Sequence, residues 1–380
     1  MPQSQRLVFL DLTRVIAMIM MILGHAFFDL VQPNLVDITQ FPWIIWEFIR
    51  GLTAPIFLVV SGIVQVFANK RIDGKVPSDI VMRRVRTALL LIFLAYFLNF
   101  PVEKAFHIFF QPKSALLHFF QVNILQIIGL TLLWVLLYFK LTKNNLQLGK
   151  ISLITAITIF TLTPIVHLID WYKFLPLPLA PYLSLAKGSY FTIFPFSGFM
   201  FFGVAFGTYL QKFSLEDRAQ VVITKGIKIG LILLPLGILI YILINLMNLP
   251  FIDVFKGNPG MSIIRLSCVF IVLSIVVFLY KRYFADSTIV KKISFTLGKN
   301  ALFVYVVHLV ILFGLPWYPS FASLYYKTFG IAESFILALA VVVCSFSLVF
   351  LYEEFVSSKN FLKPILKFGT VSLLVLLMFV

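Results

Sequence analysis

The sequence predicts an all-α, polytopic integral membrane bundle of about 11 transmembrane helices, and three observations carry that prediction. Of 380 residues, 61% are hydrophobic and 12% are charged, with a mean hydropathy of +1.02, far from the balance of a water-soluble domain. Apolar stretches long enough for a hydrocarbon core of ~30 Å recur along the whole chain. The polar segments between them are short, and no Pro/Gly/Ser-rich linker divides the chain, so residues 1–380 read as one membrane domain.

The first span, over 7–31, has a charged entry at Asp11 and Arg14 that runs straight into Leu, Ile and Met. No signal-peptide cleavage pattern precedes it, so it is expected to be retained. The second, 43–68, opens on Trp43 and Trp46, aromatic residues suited to a membrane boundary. The third, 83–100, follows a run of basic residues. The next segment, 103–118, is too short and polar to cross, and is expected at the interface. Spans over 120–139 and 151–169 follow, then 190–210, whose Gly198, Gly203 and Gly207 spacing suits close helix approach. Gly226 and Gly230 repeat that logic in 225–247. The remaining spans are expected over 261–280, 295–315, 331–352 and 361–380.

Orientation follows from the basic residues. Most of the 31 Lys and Arg lie in the amino terminus and in alternate loops, whereas the opposite loops hold only Lys104, Lys113, Lys173, Lys187, Lys256 and Lys327. This asymmetry predicts a cytoplasmic amino terminus and, with an odd span count, an extracytoplasmic carboxyl terminus. A net charge of +16 spread along one membrane face, with no groove or recognition helix, points to anionic lipid and away from nucleic acid. The cluster Lys70, Arg71, Lys75, Arg83, Arg84 and Arg86 suits either lipid headgroups or a phosphorylated cytosolic ligand such as a coenzyme.

Cys268 and Cys344 both fall inside apolar spans, too few and too buried for a disulfide framework or metal centre. The chain has no Gly-x-Ser-x-Gly elbow, no His-Glu-x-x-His and no internal repeat. The informative chemistry is therefore the ionisable residues within the spans, which are costly in hydrocarbon and imply a protein-lined polar interior.

On the first span Arg14 and His25 lie eleven residues apart, which at ~100° per residue leaves them about 20° apart on the helix. Asp11 and Asp29 fall within about 60° of that face, and the stripe covers roughly 27 Å, close to the membrane thickness. His25 is expected in the outer half. Glu47 and Arg50 reach a similar depth on the second span, Asn123 and Gln126 begin the fourth, Arg265 begins the eighth, and His308 follows Tyr305 on the ninth. Each group also has a plain structural reading. Asp11–Arg14 and Glu47–Arg50 are spaced as i,i+3 ion pairs, and His25 and His308 suit interhelical hydrogen bonds as well as proton transfer. His107, His118 and His167 lie in or near outer loops and are expected to be solvated.

Four separated segments carry a resemblance. They are Arg6-Leu-Val-Phe-Leu-Asp11-Leu-Thr-Arg14 with Met20-Met21-Ile-Leu-Gly24-His25; Arg50-Gly-Leu-Thr-Ala-Pro55-Ile-Phe-Leu-Val-Val-Ser61-Gly62; Asn123-Ile-Leu-Gln126-Ile-Ile-Gly129; and Leu297-Gly-Lys-Asn300-Ala-Leu-Phe-Val-Tyr305-Val-Val-His308-Leu. With Phe194-Pro195-Phe-Ser-Gly198 and Gly203, the chain resembles a bacterial-type relative of the heparan-alpha-glucosaminide N-acetyltransferase catalytic domain and, more distantly, acyltransferase-3 proteins. The likeness extends over residues 6–314.

The resemblance implies transfer of an acyl group, usually acetyl, from cytosolic acetyl-CoA to a carbohydrate or glycolipid acceptor across a membrane, with a bacterial cytoplasmic membrane as the setting and no metal. His25 matches a histidine of the wider superfamily. In the heparan enzyme that position looks like an asparagine, and its proposed catalytic histidine comes some eleven residues later, where this chain has Val36 and Asp37. On this reading His25 is the general base, Asp29 or Glu47 orients it, and Asp11, Arg14, Arg83 and Arg84 face the coenzyme. Arg50, Asn123, Gln126 and His308 then contact the acceptor or its developing negative charge. Direct transfer and an acyl-histidine intermediate both fit, and homo-oligomers stay open. The alternative is a transporter or flippase of a sugar or lipid-linked substrate, which also needs charges inside the bilayer.

Overall fold

The structure, a computed structural model, describes residues 7–72, 74–315 and 319–357, together with residues 317, 359, 361, 372 and 377. The described chain is helical throughout. Its helices are α1 (Val8–Leu30), α2 (Trp43–Arg50), α3 (Thr53–Ala68), α4 (Ser78–Leu98), α5 (Lys113–Phe119), α6 (Ile124–Leu141), α7 (Asn145–Leu168) and α8 (Ile193–Leu210). The second half adds α9 (Asp217–Leu246), α10 (Val254–Gly257), α11 (Pro259–Leu279), α12 (Thr288–Lys299), α13 (Ala301–Phe313), α14 (Phe321–Tyr325) and α15 (Ile331–Leu351). Among the described residues eight helices, with α2 and α3 taken as one, are long and apolar enough to cross a membrane; the bent pair α12 and α13 makes nine if it is one span.

Local chemistry explains the boundaries. Asn144 caps α7 by accepting the Gln147 N–H at 2.9 Å, Ser287 caps α12 through the Val290 N–H at 3.2 Å, and Pro259 stands in the first turn of α11 behind its cap Asn258. Gly314, at φ +72°, ends α13 in a conformation that L side chains rarely adopt. Three expectations change. The third span begins earlier, as α4, so Asp79, Arg83, Arg84 and Arg86 ride on its first half, and the helix has the length to cross but not the apolarity. The ninth is not one straight helix: α12 and α13 meet at 71° about Asn300, whose side chain donates to the Thr296 carbonyl and to Glu353. The expected span over 361–380 lies outside the described residues, isolated positions apart.

The chain divides into two compact units interleaved along the sequence. The first holds Ala54–Asn99 and Leu117–Asp286 with the first turn of α1. Within it α9 lies along α11, α7 along α8 and α4 along α6, around a core that includes Leu58, Ile63, Ile127, Ile159, Phe199, Phe201 and Phe270. Small residues allow the close crossings, as their spacing suggested. A Cβ on Gly203 would overlap the Val59 carbonyl, and one on Gly62 the Met200 carbonyl, so the backbones of α3 and α8 touch. Gly226 and Gly230 admit Ser274 and Ile271 of α11 in the same way. The outer face of α9, with Leu231, Ile232, Leu239, Leu243 and Leu246, is exposed and apolar, as a lipid-facing surface must be.

The second unit holds Asp11–Thr53, Phe100–Leu116 and the chain from Ser287 onward. Its α13 packs against α14 and α15, and α12 against α15, with Met18, Ile22, Leu30, Leu297, Val304 and Leu312 fully or nearly fully buried. The 326–329 segment is strapped to the end of α1: Lys327 N–H donates to the Asp29 carbonyl, Phe329 N–H to Leu30, and Gln32 N–H to Phe329. The 103–118 segment contains a 3-10 helix over Ala105–Phe110 and then most of α5, both too short to cross. Cys344 is exposed on α15, against the expectation of burial, because its helix turns that face outward; Cys268 is half-buried, and both are free.

Candidate active site

The second unit brings together most of the ionisable stripe. At one end of α1, Asp11 is buried against α12, where Gly298 leaves room for it: a Cβ there would meet the Asp11 carboxylate at 2.7 Å. Arg14 stands 3.7 Å from the same carboxylate, so the i,i+3 pair forms as the spacing suggested. At the other end of the stripe is His25, half-buried, its ring met edge-on by His308 of α13 at 5.6 Å between centroids and by Phe313 at 6.2 Å. Tyr305, one turn before His308, lies 5.3 Å from that imidazole, again edge-on. His308 is fully buried.

Arg50 arrives beside His25 from α2. Its guanidinium donates twice to Glu47, Nε to Oε2 at 2.8 Å and Nη2 to Oε1 at 2.7 Å, and lies 4.6 Å from the Phe28 ring centroid. The alkyl part of Arg50 runs over Gly24, where an added Cβ would come 2.8 Å from Cγ and 2.9 Å from Cδ. The Gly24-His25 pair thus has a packing reason: the residue before the histidine must be small for Arg50 to pass. Both Glu47 oxygens accept from Arg50, and among the described residues Glu47, expected to orient His25, makes no hydrogen bond to it. The Asp29 backbone carbonyl anchors the Lys327 loop.

Phe28, Glu47 and Arg50 line an open cleft of about 260 Å³ together with Val31, Pro33, Val36, Ile38 and Lys327. Lys327, counted from sequence only as a loop cation, is the lining residue that pattern reading missed; nothing in its local sequence marks it, because the backbone strap to α1 brings it there. Beside the cleft, the Asp37 carboxylate accepts from the Thr39 hydroxyl at 2.6 Å and the Thr39 N–H at 2.9 Å, which hold it below the usual aspartate range.

The other expected site residues lie in the first unit, and its hydrogen bonds account for several of them. Asn123 caps α6, its Oδ1 accepting the Leu125 N–H at 2.9 Å, while Gln126 accepts the Asn123 N–H at 2.7 Å and donates to the Gln121 carbonyl at 3.3 Å. This reciprocal cap engages Asn123 Oδ1 and both polar atoms of the Gln126 side chain, two residues expected to bind an acceptor. Arg84 donates to Asn69 at 3.0 Å, and Asn69 in turn donates to Gln65. Arg83 is exposed beside Asp79 at 3.3 Å. Arg265 donates to the Phe255 carbonyl at 3.2 Å. His107 and His118 are exposed as expected. His167 is not: it is buried, with Nε2 2.8 Å from the Phe194 carbonyl oxygen, because the chain leading into α8 folds across it. Among the described residues no group of three or more His, Cys, Asp or Glu is arranged to hold a metal ion.

No curated protein matches the chain. The profile of the family described as "Heparan-alpha-glucosaminide N-acetyltransferase, catalytic" matches residues 6–246, well over half of its length. The matched residues include the stripe on α1 and the Glu47–Arg50 pair and end before His308.

Proposed function

Because the chain belongs to the heparan-alpha-glucosaminide N-acetyltransferase catalytic family, a family of membrane acetyltransferases, we propose that it moves an acetyl group from cytosolic acetyl-CoA to a carbohydrate-type acceptor on the other side of a bacterial cytoplasmic membrane. The observation that carries the reading is His25. It is half-buried on the polar stripe of α1, in ring contact with a second imidazole, and one turn from Phe28, which lines the cleft. A neutral imidazole so placed has a ring-nitrogen lone pair that can take a proton from a bound acceptor group.

In direct transfer, His25 takes the proton from the acceptor amine or hydroxyl as that atom attacks the thioester carbonyl. The tetrahedral intermediate collapses, the carbon–sulfur bond breaks, and the departing thiolate takes the proton from His25. The coenzyme leaves as free thiol. Arg50, gripped by Glu47 at the cleft, supplies donors toward the negative charge that develops on the carbonyl oxygen. Arg14, at the other end of the stripe and balanced by Asp11, faces the coenzyme. Five apolar residues line the cleft beside three charged ones, a mixture that suits a sugar's alternating apolar face and polar edge.

The test is acetyl-CoA-dependent thiol release by the purified protein in lipid nanodiscs, with glucosamine as the acceptor probe. General-base catalysis contributes ~10²- to 10⁴-fold, so His25→Ala should lose that much turnover while remaining folded and monodisperse. Full turnover in His25→Ala would remove the assigned role. Transmembrane movement of the sugar without thiol release would instead identify a transporter.

A further inference from the structure

His308 poses a question that the chemistry above does not use. Its Nδ1 lies 3.1 Å from the Val304 carbonyl oxygen, one turn back on α13. A carbonyl can only accept, so the neutral ring carries its proton on Nδ1 and a lone pair on Nε2. That Nε2 is buried and has no hydrogen-bond partner among the described residues, although the side chain is fully enclosed. Buried acceptors are nearly always satisfied, so this one is waiting for a donor. Its ring neighbours are Tyr305, on its own helix, and His25, whose imidazole stands edge-on at 5.6 Å. At that separation one water, or a small rotation of either ring, would suffice to join the two imidazoles by hydrogen bonds.

We propose that His308 is the positioning partner of His25: its Nε2 lone pair accepts the N–H of His25, directly or through one water, and thereby fixes which His25 nitrogen presents its own lone pair to the acceptor group. Glu47 directs its carboxylate to Arg50 and makes no hydrogen bond to His25 among the described residues. The third member of a nucleophile–base–orienter arrangement is then a neutral imidazole in place of a carboxylate. As His25 takes up the acceptor's proton it becomes an imidazolium with two N–H groups, and His308 receives one of them. The proposal rests on His25 acting as the base, and its test separates the two.

The first measurement needs no turnover. In ¹⁵N-histidine-labelled full-length protein in nanodiscs, His25 should show one neutral tautomer in the unmodified chain and in His308→Gln, whose side-chain carbonyl keeps an acceptor near the Nε2 position. In His308→Ala it should show a mixture of both. An unchanged His25 signal in His308→Ala overturns the proposal. The second measurement uses acetyl-CoA and glucosamine. Loss of the group that orients a functional histidine costs roughly 10- to 100-fold, so His308→Ala should lower kcat by that factor at unchanged KM, and His308→Gln should recover most of it. Because His308 acts through His25, the double variant His25→Ala/His308→Ala should be no slower than His25→Ala alone. Losses that multiply would place His308 in an independent role and sink the inference while leaving the base intact. Full activity in His25→Ala would sink the base, and the tautomer result would still decide the pairing.

Discussion

Gly24 offers the sharpest test of how the site is packed. In Gly24→Ala the new methyl would lie 2.8 Å from Arg50 Cγ and 2.9 Å from Cδ, where carbon atoms are comfortable at ~3.5 to 4.0 Å. The Arg50 chain must therefore yield by roughly 0.6 to 1.2 Å. It cannot do so freely, because its far end is gripped by both Glu47 oxygens and rests on Phe28. Overpacking of this kind costs ~1 to 3 kcal/mol. The Glu47–Arg50 pair, with side chains 37% and 36% exposed, adds at most ~1 kcal/mol after solvent screening, and the ring contact ~0.5 to 1 kcal/mol. Helix propensity opposes these, since Ala is better than Gly by ~1 kcal/mol. The net is a loss of roughly 0.5 to 4 kcal/mol, read as a lower thermal midpoint in detergent, with turnover falling because the guanidinium leaves the cleft. Arg50→Ala removes the obstacle, so Gly24→Ala placed on that background should cost nothing or stabilise. Additive effects of the two substitutions would refute the packing explanation for the Gly24-His25 pair.

Two further outcomes follow from geometry in the first unit. Gly203→Ala should lower the thermal midpoint, since its Cβ would overlap the Val59 carbonyl and stand 2.8 Å from the Val59 carbonyl carbon; forcing α3 and α8 apart costs ~1 to 3 kcal/mol or more, and an unchanged midpoint would contradict the close crossing. Asn123→Ala should cost ~1 kcal/mol of stability as a lost cap while leaving the KM for glucosamine unchanged, and a raised KM at unaltered stability would restore Asn123 to the acceptor site.

Much of the fold was legible because lipid imposes a simple rule: stretches long and apolar enough to cross must be helices. α1, α6, α7, α8, α9, α11 and α15 overlap the expected spans, with ends that shift by a few residues where a cap or a charged turn decides. The bend at Asn300 was not legible, since the Asn300 side chain bonds to Glu353, far along the chain. The site divided in the same way. Helical periodicity put Arg14, His25 and Asp29 on one face of α1, and i,i+3 spacing found both ion pairs. What periodicity cannot say is how a polar side chain is engaged. Asn123 and Gln126 look alike as acceptor ligands and as a capping box, and only the backbone N–H positions decide for the cap. Lys327 needed the strap between the 326–329 segment and α1, a tertiary contact with no local signature.

The placement of charge around His25 also has a physical logic. A carboxylate set beside a half-buried imidazole would have to shed its water, at an effective penalty of several kcal/mol for an ion in a low-dielectric interior. Sequence reasoning favours such a partner because the residues are at hand at positions 29 and 47. In the second unit Glu47 is instead paired with Arg50 at a partly exposed position, and the ring meeting His25 edge-on deeper in the protein is that of His308. An unsatisfied neutral acceptor costs only ~1 to 3 kcal/mol, and a single donor offsets it. In the proposed mechanism, formal charge develops on His25 only during transfer, when the acceptor's proton arrives. If this is why the residue is a histidine, replacing His308 with Glu should perform worse than Gln: the added carboxylate would enclose an unpaired charge where a neutral acceptor is required, and a His308→Glu variant that outperforms His308→Gln in both stability and kcat would show that the site tolerates a charged orienter after all.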